Sequence, residues 1–364
     1  MLRVETIYIH NFRNHDNIHI DFTNRVNVIW GENGSGKTAI LEAIYTLSMG
    51  RSFRTKIHRE MLKDGCEKMS INGIFVDNKQ KQSISLNQLS NGQRRFLIDK
   101  NKSVIAKELV GQNPIVILSP EEQKISKGPP SDRREYFDKI FSIVSKKYLK
   151  TLVLYQRIIK QRNTAIRDLK QGKAGINAIK AWNDPMIGSG IELWKMRKEL
   201  ITVFKNELSQ SLRRYESKNI ILNLLYESDE TSEIFEKRLE KSLNSDIHKG
   251  WTTIGPHRDK YSFLYNKRSL REFGSQGEHK LALILIKTAE MMMINKMTGK
   301  TPILMFDDLF AKLDFQRADN VLSLLDRKGQ TIITTTDIVD FEKHGLNMSS
   351  AGNSICYLER PCKL

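Results

Sequence analysis

Cysteine is scarce. There are three in 364 residues, Cys66, Cys356 and Cys362, with no CxxC spacing and no way for all three to pair. A disulfide framework is thereby excluded, and a reducing, cytoplasmic compartment is expected. Long apolar runs are missing: nothing approaches the roughly 20 residues needed to span a bilayer, so no membrane partner is expected. The opening MLRVETIYIH alternates and carries charge, unlike a secretion signal. Proline is thin in the middle of the chain, where Pro185 alone interrupts residues 131–255. Few breakers over such a length predict long helices. No internal repeat or low-complexity segment stands out. Acidic residues are outnumbered, 42 Asp and Glu against 59 Lys and Arg, for a net charge of +17. That excess favours polyanions, nucleic acid first.

Around this helical middle lie strand-like stretches. RVETIYIH, NIHIDF, RVNVIW, MSINGIFV and PIVILS precede residue 131. PILMFD and QTIITTT follow residue 300, and such short apolar or β-branched runs suit buried parallel strands. In residues 141–163 there are six basic and no acidic side chains. At helical spacing Phe141, Val144, Tyr148, Leu152, Tyr155 and Ile159 share one face, with Lys146, Lys150, Arg157 and Lys160 opposite. GKAGIN (172–177) reads as a loop to a second helix carrying Ile191, Trp194, Ile201, Phe204, Leu208, Leu212 and Tyr215, which predicts an αα-hairpin. Residues 131–219 hold 20 basic and 9 acidic residues, so most of the surplus charge lies in this arm. The four residues of the basic face are the DNA-binding candidates.

GENGSGKT, residues 31–38, fits G-x-x-x-x-G-K-[ST] between a strand-like and a helix-like stretch. Gly31, Gly34 and Gly36 let the loop curl, so that the N–H groups of Glu32, Asn33, Ser35 and their neighbours face a phosphate. The helix start adds partial positive charge there. Lys37 is expected to reach the β- and γ-phosphates of ATP and Thr38 to hold Mg²⁺. A second metal-binding carboxylate is expected at the end of a neighbouring strand. PILMFDDLFAKLD (302–314) supplies Asp307 for Mg²⁺ and Asp308 to polarise the attacking water. The long separation of the two motifs requires a large insertion between two halves of one sheet.

NFRNH, GENGSGKT, LEAIYTLSMGRSFRT, LSPEE, GPPSDRREYFD, YQRIIKQRN, GWTTIGPHRD, SQGEHKLAL and DDLFAKLD occur in this order along the chain. With them the sequence resembles the ABC-type ATPase heads, and closely the bacterial RecF family. The resemblance implies an α/β, SMC-like P-loop head with an inserted helical arm lobe. It implies that Ser275, Gln276, Gly277 and Glu278 form a signature loop reaching the γ-phosphate of ATP on a second copy, in a head-to-tail homodimer. By the same resemblance Asp314 belongs to the D-loop, Arg13 approaches the nucleotide and Gln123 is the Q-loop candidate. Arg51 and Arg54 would meet DNA or a neighbouring lobe, and GPHRD (255–259) is read as a hydrogen-bonded turn. The family further implies weak ATPase activity, binding to gapped DNA, action with RecO and RecR in loading RecA, and roles in replication restart and the SOS response. His279-Lys280 stand where the family usually has Gln-Arg. Transporter ATPases carry a glutamate at the position of Asp308 and a histidine after the TIITTT strand, where this chain has threonines and Asp337.

The expected division is an ATP-binding lobe of residues 1–120 and 296–364, with a helical arm lobe of 121–295. Two alternatives are a short SMC-like DNA-tethering head, which would need long heptad coiled coils, and a transporter ATPase subunit, which would need a glutamate in place of Asp308, the histidine and a neutral arm.

Overall fold

The computed structural model describes residues 1–215, 220–228, 232–308, 329–336 and 352–359. Their contacts group into two units. One comprises Met1–Gln123, Arg213–Glu216 and Lys280–Leu364, the other Lys124–Leu212 and Ser217–His279. The second division thus falls inside one helix, at residue 280, whereas the sequence reading set its limit at 296.

The first unit holds two sheets. Strands β1 (Arg3–Phe12), β2 (His15–Asp21), β4 (Lys68–Asp77), β5 (Gln80–Leu89), β6 (Arg94–Ile98) and β7 (Lys102–Val104) form an antiparallel sheet in the order β2-β1-β4-β5-β6-β7. Burial alternates along β4, as one-sided packing demands. Strands β3 (Val26–Trp30), β8 (Ile115–Leu118), β12 (Ile303–Phe306), β13 (Thr331–Thr335) and β14 (Ser354–Tyr357) form a parallel sheet in the order β14-β3-β13-β12-β8. Its central strands β12 and β13 are buried throughout, which explains their unbroken apolar or β-branched runs. Helix α1 (Lys37–Met49) lies between the sheets, touching β1, β4 and β5 on one side and β13 on the other. Every residue of α1 except Thr38 is buried. Short α2 (Ala106–Leu109) completes the layer.

The second unit contains α4 (Pro130–Val144), α5 (Lys146–Lys170), α7 (Asn183–Arg214) and α8 (Ser232–Lys249). Around them lie short α3 (Lys124–Lys127), α6 (Asn177–Lys180) and α9 (Leu270–Phe273), with a small antiparallel sheet β11-β10-β9 of Arg268–Ser269, Lys260–Tyr265 and Leu222–Glu227. Helix α10 (Gln276–Thr298) begins here and continues into the first unit.

The scarcity of proline does give long helices, and Pro185 sits harmlessly in the first turn of α7. The basic stretch is not one helix from 141. The chain breaks at Ser145, whose hydroxyl caps α5 by accepting from the Tyr148 N–H at 3.1 Å. Phe141 and Val144 therefore belong to α4, and Ile158 is more deeply buried than Ile159.

The core of this unit surrounds charge. Arg197 on α7 is 1% exposed. It donates to Asp259 at 2.6 Å, to Asp138 at 2.8 Å, to the Tyr148 hydroxyl at 2.9 Å and to the Pro256 carbonyl at 2.6 Å. Burial works against its charge, but Asp138 and the groups around it outweigh burial and hold the guanidinium protonated. Asp259 also accepts from Trp194 and Tyr226. The GPHRD stretch is the turn that makes this possible. Gly255 has φ +125°, and a Cβ there would lie 2.5 Å from the Tyr155 hydroxyl. His257 bridges the Tyr155 hydroxyl and the Thr252 carbonyl at 2.8 and 3.1 Å, and burial pushes it down to about 4.

Candidate active site

The loop of residues 31–36 leaves the end of β3 and runs into α1, and Asp307 and Asp308 follow β12. Strand β13 lies between β3 and β12 and is parallel to both, so both segments emerge at the C-terminal end of the parallel strands. Gly36, the N-cap of α1, has φ +96°, and a Cβ there would sit 2.3 Å from the His15 ring. Asn14 donates to the Gly34 carbonyl at 3.2 Å, and His15 Nε2 lies 3.1 Å from the Gly36 carbonyl. The β1–β2 corner thus braces the loop from outside.

Lys37 donates to the Gly31 and Glu32 carbonyls at 2.7 and 2.8 Å. Burial lowers its ammonium, while Asp308 and then Asp307 pull the other way. The Thr38 hydroxyl meets Asp307 at 2.8 and 3.0 Å, joining residues 269 positions apart. Thr334 at the end of β13 donates to Asp307 at 2.8 Å and accepts the Asp308 N–H at 3.0 Å. One hydroxyl therefore holds both acids. Burial raises the Asp307 carboxyl, and the Thr38 and Thr334 hydrogen bonds oppose that rise. Asp308 has φ +52°, a left-handed conformation that costs most residues about 1–2 kcal/mol and that Asp tolerates better. Its Oδ1 is buried and meets no donor among the described residues, and the same holds for Ser35 Oγ.

Arg13 is held by the protein itself. Its Nε and Nη2 grip Glu42 at 2.9 and 2.5 Å, and its Nη1 donates to the Glu60 carbonyl at 2.6 Å. Glu42 is fully buried on α1 and also accepts from Ser52 at 2.5 Å and from Arg54 at 3.4 Å. Arg13 and Arg54 thus both contact a carboxylate inside the protein, and Arg51 and Arg54 are exposed. Asp314 lies outside the described residues.

Ser275, Gln276, Gly277 and Glu278 lie in the second unit, at the start of α10. Ser275 N–H donates to Glu278 at 2.7 Å, and Glu278 N–H donates back to the Ser275 hydroxyl at 3.3 Å. This capping box fixes the helix start while Ser275 and Gln276 stay exposed. Lys146, Lys150, Arg157 and Lys160 are all exposed on α5. Arg162, counted with them in the basic stretch, is instead buried against Asp246 at 2.7 Å.

The model of the RecF/RecN/SMC N terminal domain matches residues 3–350. A DNA replication and repair protein RecF of Ruminiclostridium cellulolyticum is 30% identical over 363 residues, 96% of each chain. This chain belongs to the RecF family. A second relative, the RecF of Lachnoclostridium phytofermentans, is 32% identical over 93% of this chain and 94% of its own. A solved structure of the recombination mediator protein RecF-ATP in the RecFOR pathway matches with a TM-score of 0.86 at 30% identity, covering 93% of each chain. The Smc head domain from Pyrococcus furiosus matches at 0.53 and 16% identity, a likeness of fold alone. The α/β ABC-type head expected from the sequence is the RecF fold observed here.

Sequence reasoning missed Asn14, His15 and Thr334. The NFRNH stretch was noticed for its arginine, yet the two residues after it touch the loop. Thr334 was weighed only as the lack of a histidine. Its signal was available, because a hydroxyl ending a buried strand beside the FDD strand has two acids to serve.

Proposed function

We propose that this RecF-family chain is an ATP-dependent DNA-binding protein of DNA repair and replication restart, in which ATP joins two copies and slow hydrolysis parts them. The observation that carries this reading is the Thr38–Asp307 contact, with the bare Asp308 oxygen at the same strand end. Residues 31–38 would hold the triphosphate through loop N–H groups, with Lys37 on the β- and γ-phosphates. The oxygen donors Thr38 and Asp307 fit Mg²⁺, a hard cation, which would neutralise phosphate charge when bound. Asp308 would take a proton from the water that attacks the γ-phosphorus. Lys37 and the loop N–H groups would meet the charge left on the departing β-phosphate oxygen. Ser275 to Glu278 would contact the γ-phosphate on the second copy, and Asp314 would link the two sites. RecR with RecO as partners, RecA loading and SOS support complete the proposal.

The test is duplex binding by wild type and Ser275→Arg, each with and without ATP. ATP should strengthen binding by the wild type and leave the variant unchanged, since the arginine blocks a loop that is exposed in a single chain. Equal ATP stimulation of both proteins would remove the signature contact from the account. Charge reversal of Lys146, Lys150, Arg157 and Lys160 to Glu addresses the arm. The slope of log affinity against log salt should fall by about 3 to 4, near one per lost phosphate contact. An unchanged slope would move the DNA surface off α5.

A further inference from the structure

The second unit contains a cavity of about 300 Å³ that none of the nucleotide or arm residues above lines. That volume is at the small end of the roughly 300–1,000 Å³ typical of small-molecule pockets. Its walls include Ser126, Arg133, Lys260, Ser269, Arg271 and Glu272. Three cationic side chains thus face one carboxylate across a confined space. Arg133 is 5% exposed and its fork is already oriented, donating to the Tyr261 carbonyl at 2.6 Å and the Gly128 carbonyl at 3.0 Å. Both acceptors are neutral, so the charge has no carboxylate partner among the described residues. Burial depresses Arg133, and the Arg271 charge depresses it further, with Asp132 pulling back. Both guanidinium groups line the cavity, and an anion between them would relieve their repulsion.

We infer that this cavity binds a phosphoryl group, carried by a small phosphorylated molecule or by a nucleic-acid backbone. The Arg133 Nε–H and one Nη1–H are taken by carbonyls, which leaves the other Nη hydrogens of an oriented guanidinium for phosphate oxygens. Exposed Arg271 and Lys260 line the same cavity, and Ser269 adds a hydroxyl to its wall. Glu272 cancels part of the positive charge, and the three cations still outweigh it. The Arg271 and Glu272 wall belongs to α9, whose last turn hands the chain to Gly274 and Ser275, with the Gly274 N–H bonded to the Leu270 carbonyl at 2.9 Å.

The test is arginine labelling by phenylglyoxal, read at Arg271 by mass spectrometry in full-length Lys37→Met protein, so that the residue 31–38 loop does not supply the phosphate effect. Inorganic phosphate should lower Arg271 labelling several-fold relative to chloride at equal ionic strength, with exposed Arg59 of the other unit unchanged. Lys260→Gln, an exposed change that leaves the fold intact, should weaken that protection. A short duplex and a nucleoside monophosphate are the further arms. Protection by the duplex at lower phosphate concentration identifies a nucleic-acid backbone, and protection by the monophosphate alone identifies a small molecule. Arg271 labelling that ignores phosphate, or that falls in step with Arg59, overturns the site.

Discussion

Lys37→Met should abolish ATP-dependent dimerisation and raise the Kd for ATP at least about 30-fold. Removing one member of a desolvated charge pair costs roughly 2–5 kcal/mol, and about 1.4 kcal/mol is a factor of ten. The fold should tolerate the change. Methionine keeps the length and apolar stem of lysine, and the loss on the protein side is limited to the donors serving the Gly31 and Glu32 carbonyls. Each such hydrogen bond is worth about 1 kcal/mol net. Sedimentation with and without ATP, beside a circular-dichroism melt, separates the two effects. Normal dimers in the presence of ATP would take the nucleotide away from residues 31–38.

Arg197→Met should destabilise the chain by about 3–5 kcal/mol, the usual cost of stranding buried carboxylates by removing their cation. Asp259, at 6% exposure, would keep only the Trp194 and Tyr226 donors. Asp138 would keep the Tyr148 hydroxyl. The double variant Arg197→Met/Asp259→Asn should recover part of the loss, because the asparagine carries no charge that needs a partner. Urea unfolding of the three proteins gives the comparison, with the two units followed separately because one two-state transition is not guaranteed for such a chain. A single-variant loss below about 1 kcal/mol would mean that the hub contributes little to stability.

What the sequence made legible follows from how local each signal is. The 31–38 loop was readable because its spacing, strand and helix are contiguous. Asp307 and Asp308 were readable as a strand-end pair because four apolar residues before them mark a buried strand. Thr38 and Asp307 meet in the fold although they lie 269 residues apart. The Arg13–Glu42 pairing was not legible because no pattern in NFRNH foretells that a glutamate inside α1 is its partner. Glu42 lies within an apolar helix whose polarity is visible, but its partners are distant in sequence. The arginines of the second unit were harder still. Arg162 and Arg157 look alike in a basic run, yet one is buried against Asp246 and the other is exposed. Only the fold distinguishes a charge turned inward from one offered to solvent. GPHRD read correctly as a hydrogen-bonded turn, while its task of presenting Asp259 to Arg197 depends on a helix some sixty residues earlier in the chain.

Glu42 also anchors the helix that carries the 31–36 loop. Helix α1 is wedged between two sheets, and its interior acid is moored to the β1 corner by Arg13 and to the following loop by Ser52 and Arg54. The loop of residues 31–36 at its tip therefore stands on a helix braced along its length. Thr334 fastens the two acids to the end of β13, so among the described residues the acid side of the site hangs from the sheet and the loop side from the helix.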